Sequence, residues 1–316
     1  MKNGPAGGIY LRNRSRRRDT GIGRKSVGAP CPCRLAVYLH HAIRNQSIML
    51  TADKPILWIG TSGLVLPVPN KQAFPEAFRE GSRLAYYASL FNSIEVNSSF
   101  YKVPMPVTFS KWAAETPAGF RFTVKLWQGI THVSGLRFLP VDVNRFMFAA
   151  HQLGSKKGCL LIQLPPGLKA GPEGQNAGSI AQLQRLLEKV CLADPQRTWT
   201  IAVEFRHPSW YIPAVERMLN RYGAGWVLHD MPASAMTRLA GDDPFVYLRF
   251  HGPAGDYKGG YPDAVLDAWA QRIKGWQDAG KEVYVYFNNT IGDAIANLET
   301  LRTLVGACAG APAGHG

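Results

Sequence analysis

Ile201-Ala202-Val203-Glu204-Phe205-Arg206-His207-Pro208-Ser209-Trp210 reads as a buried strand that runs straight into a polar site. Side chains alternate along a strand, so Ile201, Val203 and Phe205 share an apolar face while Ala202, Glu204 and Arg206 share the other. A second face that passes from alanine to a carboxylate and then a guanidinium has one side in a core and the other against something polar. Pro208 has no N–H to donate, so the ladder stops there.

The same pattern recurs outward from this strand, which is the fifth of eight. The others are read at Ile56–Gly60, Ser93–Asn97, Phe120–Lys125, Gly158–Leu164, Gly225–Asp230, Phe245–His251 and Glu282–Asn288. Apolar residues at helical spacing, or a proline suited to a first turn, place the helices between them. These fall near Ser82–Leu90, from Pro106 to before Pro117, at Val143–Leu153, over Ile180 to Val190, and at Ile212–Tyr222, Pro262–Ala279 and Gly292–Val305. Eight strands alternating with helices over roughly 250 residues argue for a single-domain α/β fold, a TIM-type (β/α)8 barrel, over residues 55–306. The connection Met231–Asp243 is too short for a full helix. An open doubly wound sheet is the alternative; it wants a glycine-rich phosphate turn after its first strand, and Gly60-Thr61-Ser62-Gly63 matches that only in part.

Composition narrows the class. Nothing in the 316 residues approaches the run of ~20 apolar residues that spans a membrane. Five scattered cysteines, of which only Cys31 and Cys33 are close, read as reduced thiols of a cytoplasmic protein, since no second Cys/His pair at zinc spacing follows them. Residues 1–54 hold eleven Lys/Arg against two acids and so carry +9 of the chain's +14. They read as a disordered basic leader with little to pack. Met49 stands just before the first strand, so residues 1–48 are read as an upstream extension of the reading frame; a nucleic-acid-binding tail is the second reading. The Ala/Gly-rich stretch after Gly306 is expected to fray, leaving 307–316 as a flexible tail.

In a barrel the faces opposite the strictly apolar ones point into the lumen, and chemistry gathers at the carboxyl-terminal mouth. Read that way, the strand ends bring Glu95, Asn97, Lys125, Gln163, Glu204, Arg206, Arg249, His251 and Asn288 together. Strand six adds Asp230 or His229, depending on a register that its short length leaves open. His132 and His207 sit on the loops just beyond. A purely structural alternative is an internal network in which Glu95 neutralises Lys125 and Glu204 neutralises Arg206 or Arg249. Glu204, Asp230, His251 and His207 together would offer a divalent metal nitrogen and oxygen ligands, though no compact HxH or HxxxH spacing supports that. Trp58, Trp127, Trp210 and Tyr286 are candidates for a stacking surface. Ser62 and Ser209 lack the G-x-S-x-G setting of a nucleophile.

Several segments resemble the YecE-like family, catalogued as domain of unknown function 72. They are Trp58-Ile59-Gly60-Thr61-Ser62-Gly63, Phe91-Asn92-Ser93-Ile94-Glu95-Val96-Asn97-Ser98-Ser99-Phe100-Tyr101 and Thr116-Pro117-Ala118-Gly119-Phe120-Arg121-Phe122. Thr131-His132, Gln163-Leu164-Pro165-Pro166, Glu204 to Trp210, Tyr247-Leu248-Arg249-Phe250-His251-Gly252 and Tyr286-Phe287-Asn288-Asn289-Thr290 continue the series. The resemblance spans residues 58–290 and implies a TIM-type barrel, with no established reaction. After Gly63 it lapses: Leu64-Val65-Leu66-Pro67-Val68-Pro69 stands where the family carries an aromatic-rich segment.

The first functional expectation is a hydrolase acting on an anionic substrate, phosphorylated or nucleic acid, at the barrel mouth. Glu204 and Glu95 would be its carboxylates, and His251 or His207 its proton carrier. Lys125, Arg206 and Arg249 would neutralise substrate charge, with Asn97, His132, Gln163, Asp230, Asn288 and Trp210 completing the binding surface. The second expectation is a carbohydrate-active enzyme using Glu95 and Glu204. The third is a non-catalytic barrel that binds a small acid.

Overall fold

The computed structural model describes residues 57–171, 179–239, 243 and 245–308. The basic leader, the upstream-extension reading and the tail beyond Cys308 lie outside these residues. Eight parallel strands form one sheet in the order β1-β8-β7-β6-β5-β4-β3-β2. They are β1 (Leu57–Thr61), β2 (Ser93–Val96), β3 (Arg121–Lys125), β4 (Lys157–Gln163), β5 (Thr200–Glu204), β6 (Ala224–His229), β7 (Phe245–Phe250) and β8 (Glu282–Phe287). Seven helices of eight or more described residues accompany them: α1 (Arg83–Leu90), α2 (Pro106–Ala114), α3 (Pro140–Ala150), α4 (Ser179–Ala193), α5 (Pro213–Tyr222), α6 (Asp263–Asp278) and α7 (Ala294–Cys308). One long helix follows each strand except β6. There the chain turns back so that Met236 pairs with His229 in an antiparallel bridge.

Two element boundaries depart from expectation for local reasons. Helix α3 begins at Pro140 rather than Val143, because proline fits a first turn whose N–H needs no partner, and it gives way to 3-10 turns at His151. Helix α7 runs to Cys308, past the point at Gly306 where fraying was expected. Elsewhere the caps are those the sequence offers. Ser82 Oγ accepts the Ala85 N–H at 3.0 Å, and Gly223 closes α5 at φ 65°, where a side chain would be strained.

The strands are buried on both faces, as helices outside and a filled lumen inside require. Ile59, Val124, Ile162, Val203, Leu228, Leu248 and Val285 pack outward against the helices. Trp58, Cys159, Leu161, Ala202, Val227, Phe245, Tyr247, Tyr284 and Tyr286 form a separate inner cluster. Above this aromatic plug the lumen side chains become ionisable, so the plug is the floor of the mouth.

The barrel is not closed by a full ladder between β1 and β2; side chains take the ladder's place. The Asn92 amide accepts the Ile59 N–H at 2.9 Å and donates to the Leu57 carbonyl at 2.7 Å. The Tyr87 hydroxyl accepts the Thr61 N–H at 2.7 Å and donates to the Ser93 carbonyl at 3.1 Å. Direct backbone contact begins where the Gly63 N–H meets the Glu95 carbonyl at 2.8 Å. Gly60 is obligatory in this seam, since a Cβ there would lie 2.0 Å from the Ser93 oxygen. Thus Gly60 serves a close approach of backbones, not a phosphate turn.

Candidate active site at the barrel mouth

Register decides which groups meet. Trp226 and Leu228 pack outward and Val227 inward, so His229 is the lumen residue of β6. Asp230, one residue further on, still reaches the site by bonding to His251. Glu95, Lys125, Glu204, Arg206, Arg249 and His251 converge, each at most 9% exposed.

At the centre lies Arg249, whose guanidinium donates to Glu95 Oε1 at 2.7 Å and to Glu204 Oε2 at 2.5 Å. Glu95 also accepts from Ser62 and, at 2.5 Å, from the Tyr247 hydroxyl. The other oxygen of Glu204 lies 2.5 Å from Arg206 Nε. Burial alone would raise the Glu204 pKa, but Arg206 and Arg249 together hold it well below the usual carboxylate range. Both carboxylates are therefore committed to partners. The gap between them, where a glycosidic oxygen would need to sit, is filled by the Arg249 guanidinium. This part of the site is the internal network that the charge pattern allowed, but its central cation is Arg249; Lys125 has no ion pair in it among the described residues.

His251 is oriented from both sides. Its Nδ1–H donates to Asp230 Oδ1 at 3.1 Å, and Asp230 Oδ1 also accepts the His251 backbone N–H at 2.8 Å. Tyr261 donates to the second Asp230 oxygen and accepts the Gly252 N–H at 2.6 Å. The Nε2 lone pair of His251 then accepts from Arg206 Nη2 at 3.1 Å and Arg249 Nη1 at 3.3 Å. Burial lowers the His251 pKa and the arginines reinforce it, against the opposing pull of Asp230. At neutral pH it is an uncharged imidazole with a basic nitrogen facing the cations.

Lys125 stands apart. It is 9% exposed, and its ammonium lies 4.1 Å from the centroid of the Phe100 ring. Among the described residues it makes no hydrogen bond and no ion pair. Desolvation first, then the Arg249 charge, lowers its pKa to about 8, against the opposing pull of Glu204 and Glu95. His132 packs on the same ring at 4.8 Å and bonds Thr131 Oγ1 through Nδ1 at 2.8 Å. Burial, with Lys125 and Arg206 adding to it, lowers the His132 pKa to about 4.

Around these, Gln163 Oε1 accepts from Arg206 Nη2 at 3.3 Å. Asn97 Oδ1 is buried with no hydrogen-bond partner in the structure, and Asn288 is half-buried at the end of β8. Two candidates do not join. Trp210 is fully buried, stacked on Phe205 at 4.9 Å with its Nε1–H donating to the Leu168 carbonyl at 2.8 Å; it is core rather than binding surface. His207 caps its own turn, Nδ1 accepting the Ser209 N–H at 3.2 Å, and bonds to no member of the cluster. The quartet Glu204, Asp230, His251 and His207 is thus not gathered for a metal. Among the described residues no group of three or more His, Cys, Asp or Glu is placed to hold one.

His229 ties the ends of β5 and β6 together, its Nε2–H donating to the Phe205 carbonyl at 3.0 Å and its Nδ1 accepting the Met231 N–H at 3.3 Å. Sequence reading missed Tyr247, Ser62, Phe100 and Tyr261. Tyr247 alternates with Arg249 on β7 and was available from parity. Phe100, just past β2, carries no pattern that links it to Lys125.

Comparison with known proteins agrees with this architecture. The family model described as protein of unknown function DUF72 matches residues 58–314. The UPF0759 protein YunF of Bacillus subtilis is 28% identical over 283 residues, covering 79% of this chain and 95% of that protein. The UPF0759 protein YecE of Escherichia coli K12 is 29% identical over 139 residues, 44% of this chain and 47% of that one. Crystal structures of DUF72 family proteins from Thermotoga maritima (23% identity) and Enterococcus faecalis (19%) each superpose with a TM-score of 0.65 over 79% of this chain, covering 99% and 96% of theirs. They show the same fold.

Proposed function

This chain belongs to the DUF72 family of proteins of unknown function, and from that premise, which supplies no reaction, we propose that it is an enzyme acting on a small anionic substrate at its barrel mouth. One observation carries the reading: Lys125 is 9% exposed as a residue, and its ammonium has no hydrogen bond and no ion pair among the described residues. A largely buried cation without an ion pair is costly, and a substrate carboxylate or phosphate offsets that cost. Arg206 lines the same mouth and its guanidinium suits a planar or tetrahedral anion. Asn97 Oδ1, buried and unpartnered, awaits a donor.

The chemistry that fits is proton transfer at His251. An anion that draws Arg206 toward itself takes Nη2 off the His251 imidazole. Nε2, left with only the longer contact from Arg249 Nη1 at 3.3 Å, is then a base whose tautomer Asp230 already fixes. Glu204 and Glu95 hold the arginines in place and take no part in the proton transfer. Hydrolysis of a phosphoester is the first reaction to assay, because Lys125, Arg206 and Arg249 can neutralise charge developing on phosphorus. A glycoside needs the gap that Arg249 occupies.

A second reading, a barrel that binds a small acid without turning it over, gains support from the pairing of both glutamates with arginines. Calorimetry with inorganic phosphate and acetate, beside turnover of an array of phosphomonoesters and phosphodiesters with and without added metals, separates the two. Anion binding lost in Arg206→Gln, with turnover lost in His251→Gln, is the expected result. Anion binding without turnover favours the acid-binding barrel, and no anion binding at all refutes both.

A further inference from the structure

The same amine has a second capability. We propose that Lys125 is an imine-forming nucleophile, so that the substrate class of this mouth is a carbonyl compound bearing an anion, such as a 2-oxo acid or a phosphorylated aldehyde. The proposal rests on the anion-binding reading above, since Arg206 is assigned the anionic end of the molecule.

Three features of the geometry carry it. Lys125 is 9% exposed as a residue and its amine is free of hydrogen bonds and ion pairs among the described residues, so no donor from the protein occupies its lone pair once it is deprotonated. Its neighbours are those that activate a lysine: an apolar ring, Phe100, at 4.1 Å and the cationic side chains of Arg249 and Arg206. The backbone beneath it is fixed, because Ser99 Oγ donates to the Lys125 carbonyl at 2.7 Å and to the Val96 carbonyl at 2.9 Å. A lysine serving only as a counter-charge would gain from a carboxylate partner, yet both nearby carboxylates are turned away to arginines. Titration near pH 8, caused chiefly by burial and then by Arg249, leaves a usable fraction of neutral amine at physiological pH.

The step balances without an added reagent. Neutral Nζ attacks the carbonyl carbon, forming the C–N bond as the carbonyl π pair moves to oxygen, which takes a proton while the nitrogen gives one up to solvent. The resulting carbinolamine loses its hydroxyl as water, after a second proton reaches that oxygen, and the nitrogen lone pair forms the C=N bond. From carbonyl and ammonium the products are a protonated imine and one water, with protons exchanged through solvent at the mouth. The iminium is an electron sink for breaking a bond at the adjacent carbon.

Borohydride trapping tests this on the full-length protein, with three probes: pyruvate (carbonyl and anion), acetone (carbonyl alone) and lactate (anion alone). Intact mass and peptide mapping report the adduct. Pyruvate should give a single reduced adduct on Lys125, formed faster than that of acetone by roughly ten- to hundred-fold, the range set by one charge-assisted contact. Lactate should give none and should protect. Lys125→Arg and Lys125→Met, both checked by thermal melting, should give no adduct. Arg206→Gln should slow trapping by pyruvate more than trapping by acetone, shrinking the advantage of pyruvate toward unity.

Adducts spread over surface lysines with Lys125 not preferred would overturn the proposal. So would absence of any adduct while phosphate, acetate or lactate still bind by calorimetry in an Arg206-dependent way; the anion site would then stand without the imine. If no anion binds and no adduct forms, both readings fail. Equal trapping by acetone and pyruvate would refute the anion-bearing substrate class.

Discussion

Replacing Lys125 by methionine should make this protein more stable at neutral pH while removing its ability to bind an anion. The amine titrates near pH 8 in the fold, from an ordinary value of 10.5. A group with that difference carries a penalty of about 3 kcal/mol when charged. Methionine is similar in length, keeps an attractive contact with Phe100 through sulfur, and forfeits a cation–π contact of about 1 kcal/mol. The net gain expected below pH 8 is on the order of 1–3 kcal/mol, or a Tm rise of about 2–10 °C for a domain of this size. The sign follows from proton counting. Between the folded and unfolded titration points the unfolded chain binds more protons, so wild-type stability rises with pH across that window. The advantage of the variant should thus be fully present at pH 7, shrink from about pH 8 and vanish above about 10.5. Urea melts at pH 7, 9 and 10.5, with acetate calorimetry at pH 7, provide the measurement. A variant less stable than wild type at pH 7, or a gap that does not change with pH, would refute the reasoning that the fold penalises a charged Lys125.

Other substitutions probe the supporting structure. Glu204→Gln leaves Arg249 and Arg206 without half of their counter-charge and should cost about 3–5 kcal/mol, read as a Tm drop on the order of 10 °C; an unchanged melt would show that the network is not structural. Tyr87→Phe removes the hydroxyl that bonds Thr61 N–H and the Ser93 carbonyl, and should cost about 1–3 kcal/mol in chemical denaturation with no loss of anion binding. Gly60→Ala forces a Cβ to within 2.0 Å of the Ser93 oxygen and should abolish accumulation of folded protein; a normal melt would mean that the β1–β2 seam is looser than described. His229 is buried and uncharged, its pKa lowered to about 4, chiefly by desolvation. The unfolded chain binds the extra proton, so stability should fall as pH drops from about 6.5 toward 4. His229→Gln should flatten that slope in a pH series of melts.

How much of this was legible depended on which signal reported it. Strand parity placed Glu95, Lys125, Gln163, Glu204, Arg206 and Arg249 on the lumen face, because period-two alternation beside a strict apolar face has one solution. It left β6 open, since Trp226, Leu228, Val227 and His229 are all compatible with burial. The structure resolves this by using both neighbours: His229 as a tie between strand ends, and Asp230 as the anchor of His251. Parity could not say which carboxylate each arginine would choose, because pairing depends on side-chain reach across the lumen. Nor could it show that Asn92 and Tyr87 stand in for a missing ladder, since both lie outside the strands. Trp210 misled for a related reason: an aromatic after a strand end is as useful in a loop core as at a mouth, and only Phe205 stacked beneath it decides.

The division of the charged layer bears most directly on function. Glu95, Arg249 and Glu204 satisfy one another in a lumen plugged below by tyrosines, and a cluster of this kind is often matched in stability by apolar residues of equal volume. Its presence is therefore better explained by what it positions than by what it holds together. It fixes Arg206 beside His251, and by occupying both carboxylates it leaves Lys125 without an ion pair among the described residues. Were the layer there for stability alone, the cheapest arrangement would give Lys125 one of the two glutamates, as a simple reading of charge in the sequence suggests. Instead both go to arginines, which cannot lose their charge in a protein, and the lysine, which can, remains unpaired at the mouth. That choice keeps the one cation able to become a neutral nucleophile free to meet a ligand.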